Sequence, residues 1–181
     1  MKLIRILSLV LILSCLTGIS AARAQNEVTA VQLSLFAPTQ LFYQSYSVEG
    51  LRLDLIYGLN QNVRGVDLGL INESLGYAGG LELGLSNRVS KEFGGVQIGL
   101  FNEVKWEFSG VQIGVLANID VRPARGVEAS IFYNDAQEEI RGLQFGLVNH
   151  AASLYGVQIG LLNFNDDAKY KGFIPFINAA F

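Results

Sequence analysis

The chain has 181 residues, half of them hydrophobic and 16% charged, with 20 Gly, 3 Pro, one Cys and a formal net charge of -3. That balance excludes a disordered polyelectrolyte, which needs low hydrophobicity and high net charge, and a disulfide scaffold, which needs more cysteines. It also offers no basic face for the phosphates of a nucleic acid.

Residues 1–24 read as a secretory signal. Lys2 and Arg5 supply a positive start, Ile6 to Leu13 form a short apolar run, and Ala22-Arg23-Ala24 gives the small-x-small cleavage pattern before Gln25. The apolar run is shorter than the ~20 residues a membrane-spanning helix needs. Cys15 opens a second reading, a lipoprotein signal in which it becomes the lipidated N-terminus, although Ile12-Leu13-Ser14 fits a lipobox poorly. Loss of Lys2, Arg5 and Arg23 leaves 10 basic residues against 16 acidic ones, and no cysteine. Residues 25–181 are then expected to form a single domain.

Val28 to Phe36 alternates as a strand and is followed by a looser stretch containing Pro38. From Gly50 onward the chain repeats itself. Units opening at Gly50, Gly65, Gly80, Gly95, Gly110, Gly126, Gly142, Gly156 and Gly172 are spaced 14 to 16 residues apart, and each closes on an asparagine, from Asn60 to Asn178. Typical units are GVDLGLIN, GVQIGLFN, GLQFGLVN and GVQIGLLN. Within a unit the period is two: Val96, Ile98 and Leu100 alternate with Gln97, Gly99 and Phe101. Alternation in Val-, Ile- and Leu-rich segments is the pattern of strands. Polar stretches such as ESLG, RVSK and DAQEE read as turns between them. The chain is all-β, with about ten strands expected.

Two architectures can use such a repeat. The expected one is a small antiparallel up-and-down outer-membrane β-barrel. Ten-residue strands tilted about 40° cover roughly 25 Å, the height of a lipid-facing band. The apolar face would meet lipid. The series Asp67, Glu82, Gln97, Gln112, Glu128, Gln144 and Gln158 would face the lumen, joined there by Arg52, Asp54, Arg64 and Arg141 in a satisfied polar plug. Tyr77, Phe93, Trp106, Phe108, Tyr155 and Tyr170 would form interfacial girdles. A terminal Phe181 closing an alternating strand resembles the signal that barrels present to their assembly machinery, while Pro175 must sit at an irregular or edge point. The alternative is a β-solenoid of 15-residue coils with stacked asparagines. Its cost is an exposed apolar column containing Ile71, Phe101, Leu116, Val148 and Leu162.

The units GVDLGLIN, GVQIGLFN, GLQFGLVN and GVQIGLLN, with the QLSLF and GLRLDLIYG segments before them, resemble a family of bacterial surface repeat proteins, outer-membrane or lipoprotein-like. The resemblance runs from Val31 to Phe181. It implies placement in the outer membrane or at the cell surface, with outer-membrane lipid, the assembly machinery or a surface ligand as partners. It implies no activity.

The residues themselves offer little chemistry. His150 is the one histidine and follows a repeat asparagine, where a solvated turn is the simplest reading; Ser153 lies near it, but nothing marks an acid to complete a triad. Asn163-Phe164-Asn165-Asp166-Asp167 lacks the spacing of a calcium loop. No metal, cofactor or enzyme activity is expected. The third-position acid and amide series is the one candidate site, for a ligand or pore role, against a purely structural one.

Overall fold

The alternation and the 15-residue spacing come together in a solenoid. The computed structural model describes residues 27–169 and 172–181; the signal segment with Cys15 lies outside them, as does Tyr170. Twelve strands form in chain order. The first six are β1 (Val28–Phe36), β2 (Thr39–Gln40), β3 (Ser47–Asn60), β4 (Val63–Ser74), β5 (Ala78–Leu83) and β6 (Ser86–Val89). They are followed by β7 (Phe93–Val104), β8 (Phe108–Asp120), β9 (Ala124–Ser130), β10 (Tyr133–Phe145), β11 (Val148–Asn165) and β12 (Phe173–Ala180). Between β1 and β11 every pairing from one coil to the next is parallel, giving about nine turns of a β-solenoid.

The all-β reading therefore holds and the antiparallel barrel does not. The register shows why: Gln97 lies beside Gln112, and Asn102 beside Asn118, each residue meeting its counterpart in the next coil. Parallel stacking gives the eight units from Gly50 to Gly156 like surroundings, so one motif solves the same hydrogen-bonding problem in coil after coil. An up-and-down barrel would turn alternate units upside down.

The polar stretches expected as turns are partly strand. Arg88 and Val89 pair in parallel with Glu103 and Val104, which makes a second, shorter pairing segment in each coil. That segment buries Val89 and Val104. Opposite them lie Phe93 and Phe108, buried and stacked with ring centroids 6.3 Å apart. The girdle expectation is corrected for these two rings, which belong to an apolar core shared with Ala124, Ile140 and Leu154. Trp106 and Tyr155 do lie at the surface, each about half exposed.

Two glycine columns make the stacking possible. The opening glycines, such as Gly95 at φ 143° and Gly110 at φ 145°, hold a backbone conformation that L side chains rarely adopt. A Cβ on Gly110 would also collide with the carbonyl oxygen of Gly95 below it. The second column, with Gly99 in it, lies against the asparagine amides: a Cβ there would come within 2.9 Å of Asn87 Nδ2.

Both ends are closed by antiparallel strands, as a stack with open edges requires. At the start β2 folds back on β1, and the Gln40 amide donates to the carbonyls of Phe42 and Leu59. At the end β12 runs back along β11, with Asn178 beside Gln158. Pro175 sits in this last strand between Ile174 and Phe176, where the register breaks, so the edge position expected for it is correct.

Candidate functional site

All seven members of the acid and amide series point into the solenoid, and none is more than 3% exposed. They form a column running through the interior, one side chain per coil. Gln112 Nε2 donates to Gln97 Oε1 at 3.0 Å, and Gln97 Nε2 donates to Glu82 Oε2 at 2.7 Å. Farther along, Asn178 donates to Gln158, Gln158 to Gln144, and Gln144 to Glu128, over 2.7–2.9 Å. Every one of these bonds points toward the N-terminal end. The asparagine column runs the other way: Asn87, Asn102, Asn118 and Asn134 each donate to the next asparagine at 2.8 Å. Each ladder aligns its amide dipoles, and the two oppose one another. Gln97, Gln112, Gln144 and Gln158 are sealed from solvent, so the series stabilises the stack and offers no entrance to a ligand or an ion.

The first ladder begins on charge. Arg52 is fully buried and grips Asp67 with Nε at 2.8 Å and Nη2 at 2.5 Å, while Asp54 lies 3.0 Å from Nε. Arg64 and Arg141, expected in the same plug, point outward instead. Their columns fall on the other phase of the alternation.

Glutamate at a glutamine rung is an interruption, because a carboxylate accepts but cannot donate. Burial, and then the neighbouring Asp67 carboxylate, push Glu82 up to about 8 against the pull of Gln97 and Arg52. Burial likewise pushes Asp54 up to about 7 despite Arg52. Asp120 and Glu128 form a fully buried carboxyl pair, both raised by burial, with Gln112 donating to Asp120 at 3.1 Å. A protonated acid behaves as a glutamine mimic, so these rungs favour the neutral form.

Glu82 rises from an ordinary 4.5 to about 8 on folding, so the folded chain holds a proton that the unfolded chain releases. Its contribution is complete below pH 4.5 and disappears as pH climbs through about 8. A shift of this size is worth a few kcal/mol. Glu82→Gln removes the proton requirement and keeps the rung, so it raises Tm at pH 8 by roughly 5–10 °C and changes it little at pH 5. Thermal melts followed by circular dichroism at the two pH values check this.

His150 is not simply a solvated turn residue. It stands between Asp135, 2.6 Å from Nδ1, and Asp166, 3.3 Å from Nε2. Burial lowers its pKa, but hydrogen bonds to the two carboxylates outweigh that and the net shift is upward. With both ring nitrogens engaged by acids, the imidazole is not presented to Ser153 as a base. Among the described residues, no group of three or more His, Cys, Asp or Glu is placed to hold a metal ion.

The unexpected feature is on the outside. The residues flanking each buried glutamine turn outward and form apolar columns along the molecule, including Leu81, Ile98, Ile113, Leu85, Leu147 and Leu161, each between 36% and 54% exposed. Ile71, Phe101 and Phe132 extend the same flank. Along the column from Leu53 to Ile159, and along its neighbour from Leu55 to Leu161, no coil contributes a polar side chain. The usual order is inverted: amides inside, aliphatics outside. No helix among the described residues is long and apolar enough to cross a membrane.

No protein-family model, curated protein or solved structure matches this chain.

Proposed function

We propose that this chain is an exported, non-catalytic β-solenoid of the bacterial outer membrane or cell surface, acting as an interaction module through its apolar flank. The observation that carries the reading is the run of partly to half-exposed apolar side chains, coil after coil, along one side of a molecule whose interior on that side is filled by hydrogen-bonded amides. Monomeric soluble proteins rarely expose contiguous apolar patches beyond a few hundred Å2, and larger ones mark contact sites. The signal-like residues 1–24 and the likeness to surface repeat proteins support the placement.

The docking reading is tested in native envelopes. The chain alone weighs 19.7 kDa. Mild extraction should recover it in a larger assembly, while Ile98→Glu with Ile113→Glu should recover it as a single chain of unchanged melting temperature. Wild-type protein that runs as a single chain overturns the docking reading, and wild-type protein confined to the cytoplasm overturns the export reading.

A further inference from the structure

We propose that the occupant of the apolar flank is a second copy of this chain, the two solenoids lying side by side with parallel axes and like coils facing each other. The inference rests on the docking reading above and names its partner. Three observations carry it.

The first is area. Adjacent coils lie about 4.8 Å apart, so eight coils present a flank roughly 35 Å long. From the Val96 column to the Phe101 column it is roughly 20 Å wide, side chains included. That is close to the ~800 Å2 per partner that a stable protein interface covers.

The second is period. The two central columns of the flank, from Leu53 to Ile159 and from Leu55 to Leu161, carry no side-chain donor or acceptor with which to orient a foreign protein; their pattern is the regular recurrence of apolar ridges from coil to coil. A surface with the same recurrence can interdigitate with it coil for coil, as the inner faces of two packed sheets do. A second copy has that recurrence by construction.

The third is the sign of the borders. Two residues before the Val96 column stand Arg64, Arg125 and Arg141, all exposed, with Glu49 beside Arg64 in the preceding coil. Two residues past the Phe101 column stand Glu73, Glu103 and Asp135, with Arg88 between the first two and His150 after the last. A two-fold axis along the solenoid brings the first border of each copy onto the second border of the other, at the same coil. Arg64 then meets Glu73, which also accepts from Tyr57, and Arg125 meets Asp135, which also holds His150; Arg141, bonded to its own Glu139, meets His150. In the coil where the first border holds Gly94, Glu103 is already paired to Arg88 of its own chain at 2.7 Å. Turning one copy end for end would instead set Arg64 against Arg141, which is bonded to its own Glu139.

The described fold begins at Val28 and both ends are capped, so a purified chain starting at Gln25 keeps every element and contains no cysteine. Light scattering on that chain should give a dimer, and Ile98→Glu with Ile113→Glu should weaken its association at least 100-fold with an unchanged circular dichroism spectrum. Leu53→Cys, near the N-terminal end of the stack, should crosslink to itself through a short bis-maleimide, because like coils face each other. A monomeric wild-type chain overturns the proposal. If that monomer floats with phosphatidylethanolamine–phosphatidylglycerol vesicles, or joins a larger assembly only in native envelopes, the flank still docks and only the second copy is wrong. A dimer whose Leu53→Cys variant fails to crosslink overturns the parallel arrangement.

Discussion

Arg52→Leu will destabilise the solenoid by about 3–5 kcal/mol, the cost of removing one partner from a buried ion pair. Arg52 is wholly enclosed, and its guanidinium bonds Asp67 through two nitrogens while Nη1 donates to the Glu73 carbonyl at 3.0 Å. Without it, Asp54, Asp67 and Glu82 are left as three buried carboxyls with no cation among them. Asp54 and Glu82, already pushed up by burial, lose the pull of Arg52 and hold their protons more tightly, so the loss grows with pH: urea unfolding should show a larger deficit at pH 8 than at pH 5. Replacing both ends of the pair, Arg52→Gln with Asp67→Gln, extends the glutamine ladder into the first coils. That double variant should recover part of the stability at pH 5, while Asp54 and Glu82, still buried and now without Arg52, keep a deficit at pH 8. If Arg52→Leu unfolds at the wild-type urea concentration at both pH values, the pair is not what anchors the N-terminal coils.

The strands were legible because a strand is a local object: the two-residue alternation around Gln97 needs no knowledge of the rest of the chain. The recurrence at 15 residues was legible for the same reason. What a single unit does not contain is which of its two faces turns inward. Hydrophobicity argues for placing Val96 and Ile98 inside or in lipid, and that argument led to the barrel. It fails because Gln97 lies between Glu82 and Gln112, donating to one and accepting from the other, and an amide stacked in this way regains much of the hydrogen bonding it gives up on leaving water. The pairing energy belongs to the array and is invisible in the unit.

Two signals in the residues did bear on the choice. From Asp67 to Gln158 the third position takes only acids and amides, chiefly Gln or Glu, the set able to bond to its own copies. The asparagine never alternates between odd and even units, as it would if successive strands ended at opposite rims. The boundary residues were the other gap. Phe93 and Phe108 looked like girdle aromatics because they flank the units. They share one column, register for register, with Val63, Ala78 and Ala124. Small and large side chains exchange there, as they do where an enclosed volume is being filled. His150 was missed differently: Asp135 and Asp166 are 15 and 16 residues away, one coil on either side.

The last expectation concerns the ladder that is free of charge. Asn118 is fully buried and sits in the middle of the asparagine column. Its Oδ1 accepts from Asn102, and its Nδ2 donates to Asn134 Oδ1 at 2.8 Å and to the Ala129 carbonyl at 2.9 Å. Asn118→Leu leaves a donor on Asn102 and acceptors on Asn134 and Ala129 unmet, each worth about 1–3 kcal/mol when buried. Added burial of the leucine offsets part of this, so the net loss should be about 3–5 kcal/mol, lowering Tm by roughly 10–15 °C. In a stack held by nearest-neighbour contacts the penalty depends on what lies on both sides of the rung. Asn102→Leu and Asn134→Leu should therefore cost about as much as Asn118→Leu. Asn178→Leu, at the end of the other ladder with only Gln158 below it, should cost less than half. Equal losses at Asn118 and Asn178 in thermal melts would mean that the amides act as isolated side chains, and that the shared column has no cooperative part in holding the coils together.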